Sequence, residues 1–476
     1  MDKLVRSYHV KRLHRAIFLA CITLSISQSA FAAQPVGIAQ PESISPVNAR
    51  DNTISLLDLY HQAVLHDPTL ASALSANQAA QEIIEQGKAL YRPTVNFNAE
   101  ANAVHTDIRY LNSNSPPGKS NFETYRAAID ASQPIYRKQN LVQMEQTYTQ
   151  VSQANKQLHL SQQDLILRTT QRYFDVLIAQ DKIDLIGAQK TAILSQLEQA
   201  NANFEVGTAT ITDVNEAQAR YDLIVAQEIA AVNEYQIAQR NVQAITGIRP
   251  PKLATVRADI QPNVLVQGID KWLEVAEQNN LNIQIQQDTL KFLDQEIDRT
   301  EAAHLPTLDA VASVSESYAT GSASVFGAGN DLKTGVIGLQ LQIPLYLGGS
   351  ISSRVRQAVL NKQKAQDDVE IARRQAALDT QSAYLNLSTT IAQIKALEQA
   401  LISSQSQVDS TKLGYEVGVR TSVDVLNAEQ QLFSAKRDLL QARYNYLVNI
   451  IRLKASSGVL AEADLLDINQ QLVLTH

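Results

Sequence analysis

The sequence predicts an α+β fold built twice over, with β-hairpins set among helices too long for a globular core. Three observations carry this. First, Asn203 to Ala219 reads NFEVGTATITDVNEAQA, and Gly414 to Gln430 reads GYEVGVRTSVDVLNAEQ. With Gly207 set on Gly418 the two agree at Glu-Val-Gly, Thr210/Thr421, Asp213/Asp424, Val214/Val425 and Ala217/Ala428. In each, Gly supplies a turn and Thr or Asp can cap the next helix. Second, residues 137–203 hold one glycine, Gly187, and no proline, while residues 350–413 hold neither. At about 1.5 Å per residue each run is a helix of roughly 100 Å. Third, two alternating stretches precede each long run, and alternation is the period of a strand.

The chain has 476 residues, enough for two domains or one elongated unit. Its start reads as a secretory signal, residues 1–32. Lys3, Arg6, Lys11, Arg12 and Arg15 form a basic front, Ala16 to Ile26 an apolar run, and Ala30-Phe31-Ala32 a small-residue cleavage site. The apolar run is too short for a transmembrane anchor. The single cysteine, Cys21, lies inside it. A lipobox, Phe18-Leu19-Ala20-Cys21, is the competing reading, against which the apolar region continues past Cys21. A mature chain from Ala33 therefore has no disulfide, catalytic thiol or cysteine metal site. Without the first 32 residues, which carry net +4, the charge goes from −7 to −11. Such an acidic exported chain is no general nucleic-acid binder.

Residues 33–53 are a Pro-, Ser- and Gln-rich leader. Repeat 1 spans 54–250. A helix starts near Ser55 and breaks at Pro68, with Asp67 as cap for the second piece. At Arg92-Pro93-Thr94 the period changes. Val95, Phe97, Ala99, Ala101 and Ala103 alternate with polar residues, a turn-rich loop follows, and Tyr125, Ala127, Ile129 and Ala131 share a face on the return. This is a hairpin over 93–136. A long helix over 137–203, the turn 204–211 and a shorter helix 212–246 complete the repeat. A proline-rich link, 251–267, leads to repeat 2 over 268–458. There one helix runs from about Gly268 to Ala303. The hairpin 306–346 carries Leu308, Ala310, Ala312 and Val314 on one strand, and Gly335, Ile337, Leu339, Leu341 and Ile343 on the other. The long helix 350–413, the turn 414–422 and a helix 423–457 follow. The tail, 459–476, has no readable pattern.

No later segment is apolar for the ~18 residues that a spanning helix needs, so these strands are the one route into a membrane. Four strands cannot close a barrel, since the smallest need about 8. Several chains must then share one. The helices agree: a ~100 Å helix with a thin apolar stripe must pack side by side in an assembly.

Over nearly the whole mature chain the sequence resembles the TolC family of outer-membrane export ducts. The two turns carry the resemblance best, with ARYNYLVNIIRLKASSG at Ala442 to Gly458, the paired hairpins and the duplication. It implies an α+β membrane channel: a homotrimer whose four strands per chain form a 12-stranded outer-membrane β-barrel, continued by a long periplasmic α-helical barrel. It implies partners as well, namely a periplasmic adaptor of the membrane-fusion type and an inner-membrane transporter of ABC or RND type. Type I protein secretion and multidrug efflux both remain open.

The resemblance also implies a gate latch among Thr212, Asp213, Tyr415 and Arg420. Tyr415 would donate to Asp213, and Arg420 would pair with Asp213 and bond Thr212, each charge-assisted bond being worth roughly 1.5–3 kcal/mol. The bland alternative is capping by Thr212 and Asp213 with Tyr415 as packing. At the pore entrance the family's acidic pair falls on Asp424 and on Asn427, which is not acidic, so one of two carboxylate rings is kept. The family's adaptors put the surface around Gly207 and Gly418 forward as docking turns.

Other residues point nowhere sharper. His61, His66, His105, His159, His304 and His476 are scattered, and His61 and His66 are spaced wrongly for helical metal ligands. Asp367-Asp368 reads as solvated helix surface. Tyr91, Phe122, Tyr136 and Tyr346 flank the strands, as an interface belt or as ordinary packing. No nucleotide or nucleophile motif is present. The expectation is no enzyme and no cofactor. The rival reading is a soluble periplasmic coiled-coil scaffold or adaptor.

Overall fold

A computed structural model describes residues 53–109, 111, 118–250, 252–257, 262, 267–322 and 327–473. The expected signal peptide and the leader up to residue 52 lie outside them. Repeat 1 opens with β1 (Thr53–Ile54), α1 (Leu56–His66) and α2 (Pro68–Ala89). Ser55 and Asp58 cap α1 reciprocally. Asp67 caps α2, its carboxylate accepting from the Leu70 amide at 2.7 Å, and Pro68 takes the first turn, where an amide is dispensable. Arg168 closes on the same buried carboxylate at 3.0 Å, so the break doubles as a tertiary tie.

Strands β2 (Thr94–Ile108) and β3 (Gly118–Tyr136) lead into α3 (Lys138–Glu205) and α4 (Ile211–Thr246). After β4 (Lys252–Leu253) and β5 (Thr255–Val256), repeat 2 begins with α5 (Ile269–Asn279) and α6 (Leu281–Glu301). The sequence reads one helix here; the structure divides it at Asn280. The Asn280 side chain accepts from the Asn282 and Ile283 amides and donates to the Ser456 carbonyl at 2.8 Å. No proline marks this break, so helical periodicity runs across it unnoticed. Strands β6 (Thr307–Gly321) and β7 (Ala328–Gln342) follow, then α7 (Ser350–Glu416) and α8 (Ser422–Ser456).

The link and the tail are fastened, although neither carries a sequence signal. β4 pairs in parallel with β1, and β5 pairs antiparallel with β8 (Leu472–Val473). Before β8, α9 (Ala463–Asn469) buries Leu465 and Ile468. These short pieces cover the mid-length of the long helices, where the largest apolar cluster lies: Leu165, Tyr173 and Phe174 of α3, Leu387 and Ile394 of α7, Leu447 and Ile451 of α8. Tyr173, wholly buried, donates its hydroxyl to Ala254 in the link at 2.7 Å.

Away from that centre the helices pack by heptads. α4 buries Ala217, Ile224, Ala231 and Ala238, and α8 buries Val425, Leu432, Leu439, Tyr446 and Leu453, each a heptad after the last. A sustained repeat of about 3.5 residues per turn gives left-handed coiled coils, and the alanines let α4 approach its neighbours closely. A second seam, Ile371, Leu378 and Leu385 of α7, faces outward and stays exposed in the single chain.

The four long strands form one antiparallel sheet in the order β2-β3-β6-β7. Its registers put all four apolar alternations on one face: Val95–Ala131–Ala312–Ile337 and Phe97–Ile129–Val314–Gly335 lie in rows. That face is open, with Val314 68% and Ile337 88% exposed. The other face is polar, and Asp130 accepts there from Asn98 at 2.9 Å and from Ser313 at 2.7 Å. Among the described residues, edges β2 and β7 each lack an outer partner strand. Beneath the sheet, Arg137 grips Asp309 with two nitrogens, at 2.8 and 2.5 Å, joining the exit of one hairpin to the entry of the next.

Replacing Asn280 removes a helix cap and the bond to Ser456. Asn280→Ala therefore costs about 1–2 kcal/mol. Helical circular dichroism will record a lower thermal midpoint, and Asn280→Asp, which keeps the cap alone, will fall less.

Candidate functional site

The two helix–helix turns share one backbone design. Gly207 and Gly418 sit at φ 81° and 77°, the left-handed region that glycine enters without strain. The Thr208 amide reaches back to Asn203 and the Val419 amide to Gly414, at 2.8 and 2.9 Å, closing the helix ends alike. The next helices start alike too. Thr210 and Thr421 are the N-caps, and Asp213 and Asp424 complete reciprocal capping boxes. Asp213 accepts from the Thr210 hydroxyl at 2.7 Å and the Thr210 amide at 2.9 Å. Asp424 accepts from the amide and hydroxyl of Thr421, both at 2.9 Å.

These bonds set the carboxyl titrations. The Thr210 hydroxyl, then its amide, holds Asp213 below the ordinary aspartate range. The Thr421 amide, then its hydroxyl, does the same for Asp424, with help from the Arg420 charge. Both are carboxylates at neutral pH.

Within one chain the expected latch partners do not all meet. Asp213 is occupied by its own cap. The Tyr415 hydroxyl instead accepts from Asn203 Nδ2 at 3.1 Å, and this bond brings the two turns together. Thr212 is exposed at the second position of α4, and its hydroxyl makes no hydrogen bond among the described residues. Arg420 is exposed, and its guanidinium makes no ion pair or hydrogen bond among the described residues, which leaves it available to a neighbouring molecule. Its stem packs where Gly414 has no side chain; a Cβ there would meet Arg420 Cγ at 2.7 Å. Asn427 is engaged as well: its Oδ1 accepts from Arg220 Nη2 at 2.8 Å. Around Gly207 and Gly418 the tip is apolar and open, with Val206 73% and Val419 75% exposed.

Two contributors escaped the sequence reading. Asn203 occupies the place of Gly414 when the repeats are superposed, and that mismatch is its one signal. Arg220 follows Asp213 by a heptad, and its signal is a cation set between the buried seam positions Ala217 and Ile224.

An open-edged sheet with an apolar outer face, set on duplicated helical hairpins that end in matched turns, defines a subunit of an outer-membrane channel. The family model for the outer membrane efflux protein matches residues 59–248 and 272–459, one span per repeat. The chain belongs to that family, and the soluble-scaffold reading falls away. Outer membrane protein TolC of Vibrio cholerae serotype O1 is 32% identical over 88% of this chain and 94% of its own length. Outer membrane protein TolC of Escherichia coli K12 is 33% identical over 90% of this chain and 87% of its own. The proteases secretion protein PrtF of Dickeya chrysanthemi is 27% identical, covering 87% of this chain and 90% of itself. Among solved structures, the outer membrane protein VceC from Vibrio cholerae shares the fold with a TM-score of 0.69 at 18% identity, covering 85% of this chain and 96% of its own.

The caps give the tip a pH dependence. A carboxyl whose folded value is depressed adds stability above its unfolded pKa, and that stability is lost as the pH falls through the folded value. Proteolytic nicking at the two turns will therefore quicken on acidification. In Thr421→Val it will be faster already at neutral pH and less dependent on pH, because Asp424 then sits nearer its ordinary value.

Proposed function

We propose that the chain works as a homotrimeric export duct of the outer membrane, for type I protein secretion, multidrug efflux or both. One observation carries the assembly: an apolar-faced sheet with two unpaired edges. Lipid offers no hydrogen bonds to such edges, so β7 of one chain must pair with β2 of the next until the ring closes. Three copies give twelve strands. The exposed α7 seam then becomes an interface, and the polar face of Asn98, Asp130 and Ser313 lines the lumen.

The duct itself performs no catalysis, so transport draws its energy from an inner-membrane transporter of ABC or RND type through a periplasmic adaptor. The open apolar tip around Gly207 and Gly418 suits an adaptor's helical hairpin. Residues 1–32 serve as the export signal. The family of this chain, and a relative named for protease secretion, support export without choosing the cargo.

Thr212, Asp213, Tyr415 and Arg420 form the latch at the periplasmic end. Arg420, whose guanidinium makes no hydrogen bond or ion pair among the described residues, pairs with Asp213 of a neighbouring protomer, which the cap holds ionised. Exposure limits each such pair to about 1 kcal/mol or less, so the closed state depends on three-fold repetition. Asp424 contributes one ring of carboxylates at the entrance.

Single-channel conductance in planar bilayers tests both levels. The wild type will conduct weakly, and Tyr415→Phe/Arg420→Ser will raise conductance several-fold. An unchanged conductance returns these residues to packing and capping; a protein that needs no detergent and never inserts removes the duct itself. A trivalent cation will block the wild-type channel, and Asp424→Ala will abolish that block.

A further inference from the structure

Just inside the turns, at the meeting of the two helical hairpins, Arg220 of α4 spreads a fan of bonds. Nη2 donates to Glu216 on its own helix at 3.2 Å and to Asn427 of α8 at 2.8 Å, while Nη1 donates to Gln430 of α8 at 3.0 Å. Glu216 and Asn427 take equivalent places when the repeats are superposed, so one guanidinium bridges the pair. Beside it lies a cavity of about 90 Å³, lined by Ile193, Arg220, Leu223, Gln227, Leu426 and Glu429. Two polar atoms of these residues, Arg220 Nε and Glu429 Oε2, are buried with no hydrogen-bond partner among the described residues. Glu429 is 4% exposed, and its other oxygen is held by Lys412 at 2.7 Å. Apolar adhesion is thin here: among the described residues, Leu426 is the single α8 side chain buried in the cluster that α3 and α4 form at this end.

We propose that Arg220 is a clamp of the gate, set inboard of the turns, which holds the α7–α8 hairpin against the α3–α4 hairpin through Asn427 and Gln430. This inference rests on the channel reading above. A guanidinium fork suits two side-chain oxygens, and neutral amide acceptors bind it less tightly than carboxylates do, so the contact can release. Glu216 keeps the fork aimed while it is released. The cavity spares the joint the dense packing that resists sliding elsewhere. Position 427, although exposed, is thereby engaged in the joint between hairpins. An acid placed there pairs with Arg220 and tightens closure, where a lumenal position would add a second ring of charge.

The experiment uses the full mature protein with two changes, Arg220→Gln and Asn427→Asp. Each is read by bilayer conductance, by block with hexaamminecobalt(III), and by the distance between spin labels on Thr208→Cys and Val419→Cys, in samples diluted with unlabelled chain. The only natural cysteine, Cys21, lies in the expected signal, so labelling is selective. Arg220→Gln will raise conductance several-fold and lengthen the label distance. Asn427→Asp will lower conductance and narrow the distance distribution, with block unchanged. The clamp is overturned if Arg220→Gln alters neither conductance nor distance, or if Asn427→Asp tightens block while conductance stays level. Should Arg220→Gln fail to assemble, the isosteric Asn427→Asp decides alone. If no variant conducts but the label distances move as stated, the clamp stands and the channel reading fails.

Discussion

Everything in this chain follows from the two open edges of its sheet. A backbone amide or carbonyl left unpaired in hydrocarbon costs several kcal/mol, and a strand of fifteen residues presents a whole row of them. One chain supplies four strands in sequence with an apolar face, and among the described residues no strand pairs with the outer edge of β2 or β7. The long helices inherit that constraint. Ile371, Leu378 and Leu385 of α7, a heptad apart and exposed, leave a seam open.

Stability is distributed unevenly along the helices. At mid-length, large side chains such as Tyr173, Phe174, Ile394 and Leu447 meet from both repeats, and the link and tail wrap them. Toward the turns the apolar clusters are smaller, that of α3 and α4 taking in Leu426 of α8 and that of α7 and α8 formed by Val408, Ala428 and Leu432, with amide and guanidinium contacts between the hairpins. Local opening is therefore less costly at the turns than at mid-length.

The duplication makes the differences between repeats informative. Both turns need their glycine and their threonine–aspartate cap, and both have them. Where the repeats diverge, the chain gains cross-links: Asn203 against Gly414 gives Tyr415 a donor and Arg420 room, and Glu216 against Asn427 gives Arg220 two acceptors of different strength. Among the described residues, these contacts have no counterpart at the equivalent places of the other repeat.

Much of this was legible in the sequence, because local signals carried it. Alternation marked the strands, missing glycine and proline marked the long helices, and Gly-x-x-Thr-x-x-Asp marked the turns with their caps. The break at Asn280 was not legible, since an Asn cap inside a helical period looks like one more polar residue. Nor was the fastening of the tail, where two-residue strands and a seven-residue helix gain stability only from what they touch. The partners of Tyr415 and Asn427 depended on how two segments some two hundred residues apart come to lie. Sequence determined the elements and their ends, because helix caps, turns and strand periods are decided within a few residues. Tertiary structure alone decided the sheet order, the common apolar face and the reach of Arg220, because these depend on register between distant segments.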